Sequence, residues 1–498
     1  MDAEQKPKAD SGAVAREEDL KPTYTDKDGQ EHQRRILTGD RTTGKLHLGH
    51  YVGSLRSRVK YQGVYDTFIL MADVQALTTH WDKPEILKQS VLDVALDYMA
   101  IGMNPYTGGE DDGSKAKIVV QSHVPAIAEL TVLYGLVTPM SLLRANPTTK
   151  AEAEQYGFDQ GEEESADLDS PPIIAPDREK YYEYLEGDEG RKALIRFRKS
   201  FHEAHPEAAF DTLHHRHVYG LLAELQRFED VSVQQEIAKH DYESHPLAAL
   251  EVSPTLARAF RDLVIRGRRS RGMASMSYGF LGYPVSQAAD ITFVNAHLVP
   301  VGEDQVPHIE LTREIVRRMN KQYGGRRRIL TVPQALIGGG TIKGLDGNAK
   351  MSKSLGNAVY LSDSDDEIWD KVRKAVTDPQ RIRRDDPGRP EICNVFAYHQ
   401  QFNAETEPAI ADAGLSVPTV DETAELCRSA GIGCVDCKKN LMAKLSAMLS
   451  PMRERRADWQ QRPDDLMDIL REGTRRGNEE GNETVERVKA AMHVDYWE

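Results

Sequence analysis

Residues 65–71, YDTFILM, form a nearly unbroken apolar run, and residues 117–121, KIVVQ, form a second. A strand buried on both faces reads this way, whereas a strand with one wet face alternates. The segment between them has helical spacing. Lys83-Pro84-Glu85 opens it with proline in the first turn, Val91, Val94, Ala95 and Tyr98 keep one face, and Gly102 ends it. A further strand, Arg35-Ile36-Leu37-Thr38-Gly39, runs into a glycine-rich turn and a helix over 49–61. Parallel strands need helical crossovers, so this order predicts an α/β fold built on a doubly wound parallel sheet.

The pattern breaks near residue 151. The stretch QGEEESADLDSPPIIAPDREK is acidic and carries three prolines, which predicts a surface loop. A helical pattern rich in His and Arg follows, and α/β alternation resumes near 272. From 362 to 498 the pattern is almost wholly helical, opened by a capping box at Ser364-Asp365-Asp366-Glu367. Residues 1–34 are polar and predict a disordered tail. The expected division is therefore 1–34, 35–158, an insertion over 159–271, 272–361, and 362–498.

The chain has 498 residues, 64 Lys+Arg, 79 Asp+Glu and a formal net charge of −15. Residues 1–30 supply −3 of this and residues 151–190 supply −12, so everything else sums to zero. A nucleic-acid partner, which needs local positive potential, is compatible with that distribution. No run of about 18 apolar residues exists to cross a membrane. The N-terminus lacks a signal-type apolar core, so the expected address is the cytoplasm.

Two separated motifs handle phosphate. Residues 38–50, TGDRTTGKLHLGH, join the first strand to its helix. A triphosphate there meets free backbone N–H groups and the positive end of the helix dipole. His47 and His50 add donors, and Gly49 leaves room for a flat base. Alone, such a His pair is more often a cap or a surface pair. The second motif is Lys350-Met351-Ser352-Lys353-Ser354, after a glycine-flanked turn. Two lysines on a mobile loop can neutralise charge on a departing pyrophosphate. Alone, it is as readily a solvated basic loop.

These two motifs resemble the two signatures of class I aminoacyl-tRNA synthetases. GYPVSQAADI at 282–291, VPVGEDQ at 299–305, ADVQALTT at 72–79 and HIELTR at 308–313 resemble the tryptophanyl-tRNA synthetase family. The resemblance covers about 35–158 and 272–498. It implies a Rossmann-type catalytic domain, a helical anticodon-binding domain over 362–498, and ATP-dependent attachment of tryptophan to tRNA(Trp) through a tryptophanyl-adenylate. It also implies magnesium on the ATP phosphates and a homodimer. Residue by residue, Asp290 would accept the indole N–H, and Tyr283 and Gln305 would hold the substrate ammonium. Gln75 stands near the indole where many relatives have histidine. Arg41, Thr42, Thr43, Gly49, His50, Gly302, Glu303, Asp304, Thr341 and the residues 350–354 would line ATP, with His47, His50, Lys350 and Lys353 catalytic. The related tyrosyl enzymes usually carry Tyr-Asp where Ala289-Asp290 lies. Tyrosyl-type specificity, a nucleotidyltransferase and a non-catalytic synthetase-like binding protein are the competing readings.

Cys393, Cys427, Cys434 and Cys437 are all the cysteines in the chain. A Cys-x-x-Cys pair can place two thiolates on one metal, and four complete a tetrahedral set. Some tryptophanyl-tRNA synthetases carry a 4Fe–4S cluster on a similar pattern, which the resemblance implies here; zinc or no metal are the alternatives. In the insertion, His214, His215 and His217 are expected to be solvated. The basic close at 266–271 has two readings, contact with the tRNA acceptor end or pairing with the acidic half.

Overall fold

The computed structural model describes residues 12–15, 20–26, 29–80, 84–149, 278–325, 327–337, 340–347, 350–353 and 355–496, together with parts of 192–263. The chain divides into two compact units. One comprises 1–148 with 279–498, and the other 149–278.

In the first unit the described elements begin with β1 (Val14–Ala15), the hairpin β2 (Thr23–Thr25) and β3 (Glu31–Gln33), and β4 (Arg35–Arg41). Next come α1 (Leu48–His50), a π-helical turn over Tyr51–Leu55, α2 (Arg56–Tyr61), β5 (Asp66–Ala72), α3 (Asp73–His80) and α4 (Glu85–Ala100). Then follow β6 (Lys117–Val120), α5 (Pro125–Gly135) and α6 (Met140–Ala145). The second unit contains α7 (Val231–Lys239) and α8 (Pro246–Val252). The first unit resumes with α9 (Tyr278–Thr292), β7 (Leu298–Val301), α10 (Val306–Tyr323), β8 (Gln334–Ile337) and α11 (Asp365–Val372). It ends with α12 (Asn394–Gln401), α13 (Asn403–Asp412), α14 (Val420–Arg428), α15 (Cys434–Gln460) and α16 (Pro463–Met492).

Six strands form one sheet in the order β1-β8-β7-β4-β5-β6, every pairing parallel. Side chains on a strand alternate faces, and the core obeys this. Ile69 and Met71 of β5 join one core with α4 and α15, while Phe68 and Leu70 join a second with α5, α9 and α10. The expected doubly wound sheet is what forms. Its order reverses between β4 and β7, and ligands of such sheets sit at that reversal, beyond the strands' C-terminal ends.

Two expectations differ. The segment read as a disordered tail contributes β1, which pairs Val14 with Ala335 and Ala15 with Leu336 at the sheet edge. It also contributes the β2–β3 hairpin, where Tyr24 stacks on His32 and His297 with centroids 5.5 and 4.8 Å away. A two-residue strand is too short to show periodicity, and its stability comes from the edge it covers. Residues 362–498 are helical as expected, and they share one compact unit with the sheet where the sequence pattern places a domain boundary at 362. The long α16 lies along β6 so closely that a Cβ on Gly473 would sit 2.2 Å from the Ile118 carbonyl oxygen. The capping box at Ser364 and Glu367 forms as read.

The second unit has its own core, in which Phe197, Phe201 and Phe260 stack at 5.1–6.0 Å with Leu256 and Leu250 around them. The acidic stretch 151–190, His214, His215, His217 and the basic close 266–271 lie outside the described residues.

Candidate active site

The first motif lies between β4 and α1. His47 is the N-cap of α1; its Nδ1 accepts the Gly49 N–H at 3.1 Å, and the Nδ1 of His50 accepts the His47 N–H at 3.2 Å. The two rings lie 3.8 Å apart. Burial lowers His47 to about 2 and His50 to about 4, and Lys353 beside them adds to both. Both imidazoles are therefore neutral near pH 7. With Nδ1 accepting, each carries its proton on Nε2 and offers one N–H to an anion. Gly49 has a more specific reason than space for a base: a Cβ there would come within 2.9 Å of the His47 ring.

Buried charges hold this loop. The Leu46 N–H donates to Asp97 at 2.7 Å, and Arg456 of α15 pairs with Asp97 at 2.9 Å and Asp93 at 2.8 Å. Desolvation raises the Asp97 carboxyl. Under the loop, Asp40 accepts from Arg58 at 2.6 Å and from Tyr98 at 2.8 Å. Burial alone would raise Asp40, but Arg58 and its neighbours hold it at about 2. Thr42 is fully buried and its hydroxyl has no partner among the described residues; Arg41 is exposed at the strand end.

The second motif closes on the first. Lys353 Nζ donates to the Gly44 carbonyl at 2.7 Å, and Lys350 Nζ lies 3.2 Å from Asp304. Met351 is buried, and its sulfur accepts the Gly49 N–H at 3.2 Å. The Ser352 N–H donates to Asn357. Burial lowers Lys353 to about 8. Ser354 lies outside the described residues, and Thr341 is exposed beyond the end of β8. Gly302, Glu303, Asp304 and Gln305 follow β7, with Gln305 donating to Asp304 at 3.1 Å.

A third group sits beyond β5 and β6. Asp290 of α9 is buried, and each of its oxygens takes one amide donor: Gln75 to Oδ2 at 3.0 Å and Gln121 to Oδ1 at 2.7 Å. The Gln121 side-chain oxygen accepts the Gln75 backbone N–H at 3.1 Å, which fixes its amide orientation. Desolvation raises Asp290 to about 7, against the pull of both amides, and the like charge of Asp73 adds to the rise. Tyr283 of the same helix bonds His308 Nε2 at 3.2 Å, and burial lowers His308 to about 4. Gln121 and His308 were not picked as site residues from sequence. The only cue for Gln121 was its position, directly after a buried strand at the binding edge.

The four cysteines are unpaired and gather in one place. Cys393 precedes α12, Cys427 ends α14, and Cys434 and Cys437 begin α15. Burial raises Cys393, Cys427 and Cys437, the last to about 12, and every pair of the four feels the other's charge. Arg381 donates to Cys427 Sγ at 3.8 Å. Among the described residues, no three His, Cys, Asp or Glu side chains converge as closely as a single metal ion requires. A cavity of about 990 Å³ opens at the N-terminal ends of the central strands, between the β2–β3 hairpin, Arg35 and α16, and contains none of the residues chosen from sequence. Among the described residues no helix is long and apolar enough to cross a membrane.

Comparison with known proteins covers most of the chain. The family model described as tRNA synthetases class I (W and Y) matches residues 29–162 and 228–450. A tryptophan–tRNA ligase of Aquifex aeolicus is 37% identical over 465 residues, 92% of this chain and 100% of the relative. One from Streptococcus mutans is 33% identical over 93% of this chain and 98% of its own. The solved tryptophanyl-tRNA synthetase of Campylobacter jejuni, complexed with ADP and tryptophan, matches with a TM-score of 0.57 at 21% identity, covering 92% of this chain and 99% of that one. The Mycoplasma pneumoniae enzyme matches at 0.58 and 19%, covering 92% and 97%. These structures share the fold.

Proposed function

The chain belongs to the class I tRNA synthetases of the tryptophan and tyrosine group and is a tryptophan–tRNA ligase, and from that premise we propose how its residues act. The reaction is ATP-dependent and runs in two steps. The tryptophan carboxylate attacks the α-phosphorus of ATP, giving tryptophanyl-adenylate and pyrophosphate; a terminal ribose hydroxyl of the tRNA then takes the acyl group. The carboxylate is already ionised near pH 7, so no enzyme nucleophile is needed. Catalysis rests on positioning and charge stabilisation.

The observation that carries this reading is the interlock of the two signature motifs across the sheet's reversal point, with Lys353 on the Gly44 carbonyl. The ATP phosphates take the N-terminus of α1, where the Nε2–H groups of His47 and His50 face them as neutral donors. Lys350 leaves Asp304 and, with Lys353, meets the charge that develops as pyrophosphate departs. Arg41, Thr42, Thr43, Gly49, Gly302, Glu303, Asp304, Thr341 and the loop residues Met351, Ser352 and Ser354 line the nucleotide. Magnesium arrives on the nucleotide and supplies further positive charge to its phosphates.

Asp290, steadied by Gln75 and Gln121, accepts the indole N–H; Tyr283 and Gln305 hold the ammonium. A ring lacking that N–H forgoes one hydrogen bond to a charged acceptor that Gln75 and Gln121 already hold, at a cost of about 1.5–3 kcal/mol. Tryptophan-dependent exchange between ATP and pyrophosphate tests the assignment. Exchange with tyrosine and not tryptophan would overturn it.

The four thiols suit a 4Fe–4S cluster better than zinc. One zinc holds its sulfurs about 2.3 Å away in a tight tetrahedron, and zinc is the alternative reading. A cluster spreads its four ligands wider, and cysteine thiolates are its usual donors. Iron and acid-labile sulfide in anaerobically purified protein test this, and stoichiometric zinc in their place would refute it. A homodimer in the cytoplasm completes the reading. Val132 of α5 and Leu136, the C-cap of that helix, are 67% and 70% exposed and offer apolar surface to such a partner.

A further inference from the structure

The cysteine group and the ATP loop share one helix. Cys393 is the N-cap of α12, and His399, near the helix's other end, places Nε2 3.3 Å from the Cys437 carbonyl oxygen and 3.6 Å from its sulfur. Both ends of α12 therefore touch the cysteine group. Its other face holds the base of the second signature loop. Asn394 donates to the Gly344 carbonyl at 2.9 Å, and Tyr398, one turn on, donates to the Lys343 carbonyl at 2.6 Å. Lys343 bridges Lys350 across the loop, and the Met351 N–H donates to Ile342 at 3.1 Å. Tyr398 is fully buried, so its hydroxyl has little freedom.

We propose that α12 is a lever through which filling of the four-cysteine group fixes the base of the signature loop and raises the affinity for ATP. The inference rests on reading the cysteines as cluster ligands. Aminoacyl transfer moves no electrons, so the group's use in this enzyme lies in what it holds in place. Unliganded, the four thiols are four separate side chains on three helices. Liganded, they tie the start of α12 to α14 and α15. A short helix transmits that restraint to Gly344 and Lys343 as a rigid body. Coupling between two sites is reciprocal, so ATP must also strengthen retention of the metal.

The test uses the full-length protein, reconstituted with iron and sulfide under anaerobic conditions and then stripped with a chelator. ATP affinity, measured by equilibrium dialysis without tryptophan, is expected to be at least about fivefold tighter in the loaded form. Iron retained at equilibrium against the chelator should rise with ATP by the same factor. Tyr398→Phe and Asn394→Ala should keep the full iron and sulfide content while bringing the loaded and stripped affinities together. Equal ATP affinity in the two forms of the unsubstituted protein, with iron verified, overturns the lever. So does a Tyr398→Phe protein that keeps the full difference. Failure to bind iron and sulfide at all overturns the cluster reading beneath it, and the iron assay tells these outcomes apart.

Discussion

Asp290 is under opposed influences, and its titration should be visible in the enzyme. Burial raises its carboxyl to about 7, while the amides of Gln75 and Gln121 favour the charged form. Only the carboxylate is a full-strength acceptor for an indole N–H. If Asp290 accepts the indole N–H as proposed, protonation costs tryptophan affinity, and the KM for tryptophan should rise as pH falls below about 7 and stay level above it. Replacing Gln121 by Met keeps its volume and removes the donor 2.7 Å from Oδ1. A hydrogen bond to a charged group contributes about 1.5–3 kcal/mol, and 1.36 kcal/mol is about one pH unit, so the midpoint should move up by about one unit or more. A pH profile of KM with an unmoved midpoint would show that Gln121 does not support the carboxylate. The two histidines give a contrasting expectation. Held at about 2 and about 4, His47 and His50 should contribute no inflection to the rate between pH 6 and 8.

At the level of elements, the loop bearing Lys353 carries its own pH signature. Burial lowers this lysine to about 8, so the free enzyme loses the charge as pH rises through that value. The ratio kcat/KM for ATP reports the free enzyme and should fall above about pH 8; kcat reports the complex, where phosphate favours the ammonium, and its fall should come later. Lys353→Ala should cost on the order of 10²–10³ in kcat, the loss seen when one preorganised donor to a developing charge is removed. A kcat within threefold of the parent's would remove Lys353 from the chemistry. This loop and the α1 turn were both visible in the sequence, because glycines and charged residues cluster where a strand gives way to a turn. The central strands were visible for the same kind of reason, since burial on both faces leaves no room for alternation. Val14 and Ala15 were not, because two residues carry no period and only the exposed edge of β8 explains them. Gln121 was missed because a glutamine after a strand has many uses, and its purpose appears only when Asp290, 169 positions away, folds onto it.

The first compact unit is tied together by the last two helices of the chain. Their composition suggested a separate domain, but α16 brings Gly473, Gly477 and Gly481 against β6 and its neighbours at four-residue spacing. A methyl group at 473 would lie 2.2 Å from a backbone oxygen that cannot retreat, so Gly473→Ala should lower the unfolding midpoint sharply, as overpacking against a fixed neighbour does. The other tie is ionic. Arg456 of α15 is almost wholly buried and reaches both Asp93 and Asp97 of α4, and Asp97 in turn holds the Leu46 N–H just before the signature histidines. A C-terminal helix thus helps to set the position of the turn that carries His47 and His50. Removing one partner of a buried pair leaves the other charge without compensation, at a cost of about 3–5 kcal/mol. Arg456→Met should accordingly lose about that much in urea unfolding, and it should also weaken ATP, because an Asp97 driven toward protonation is a poorer acceptor for Leu46. Adding Asp97→Asn removes the stranded charge and should restore part of the stability while leaving ATP binding weak, since the carboxylate that orders the turn is still missing. Recovery of both together would mean that the ion pair holds α15 in place and does nothing for the turn.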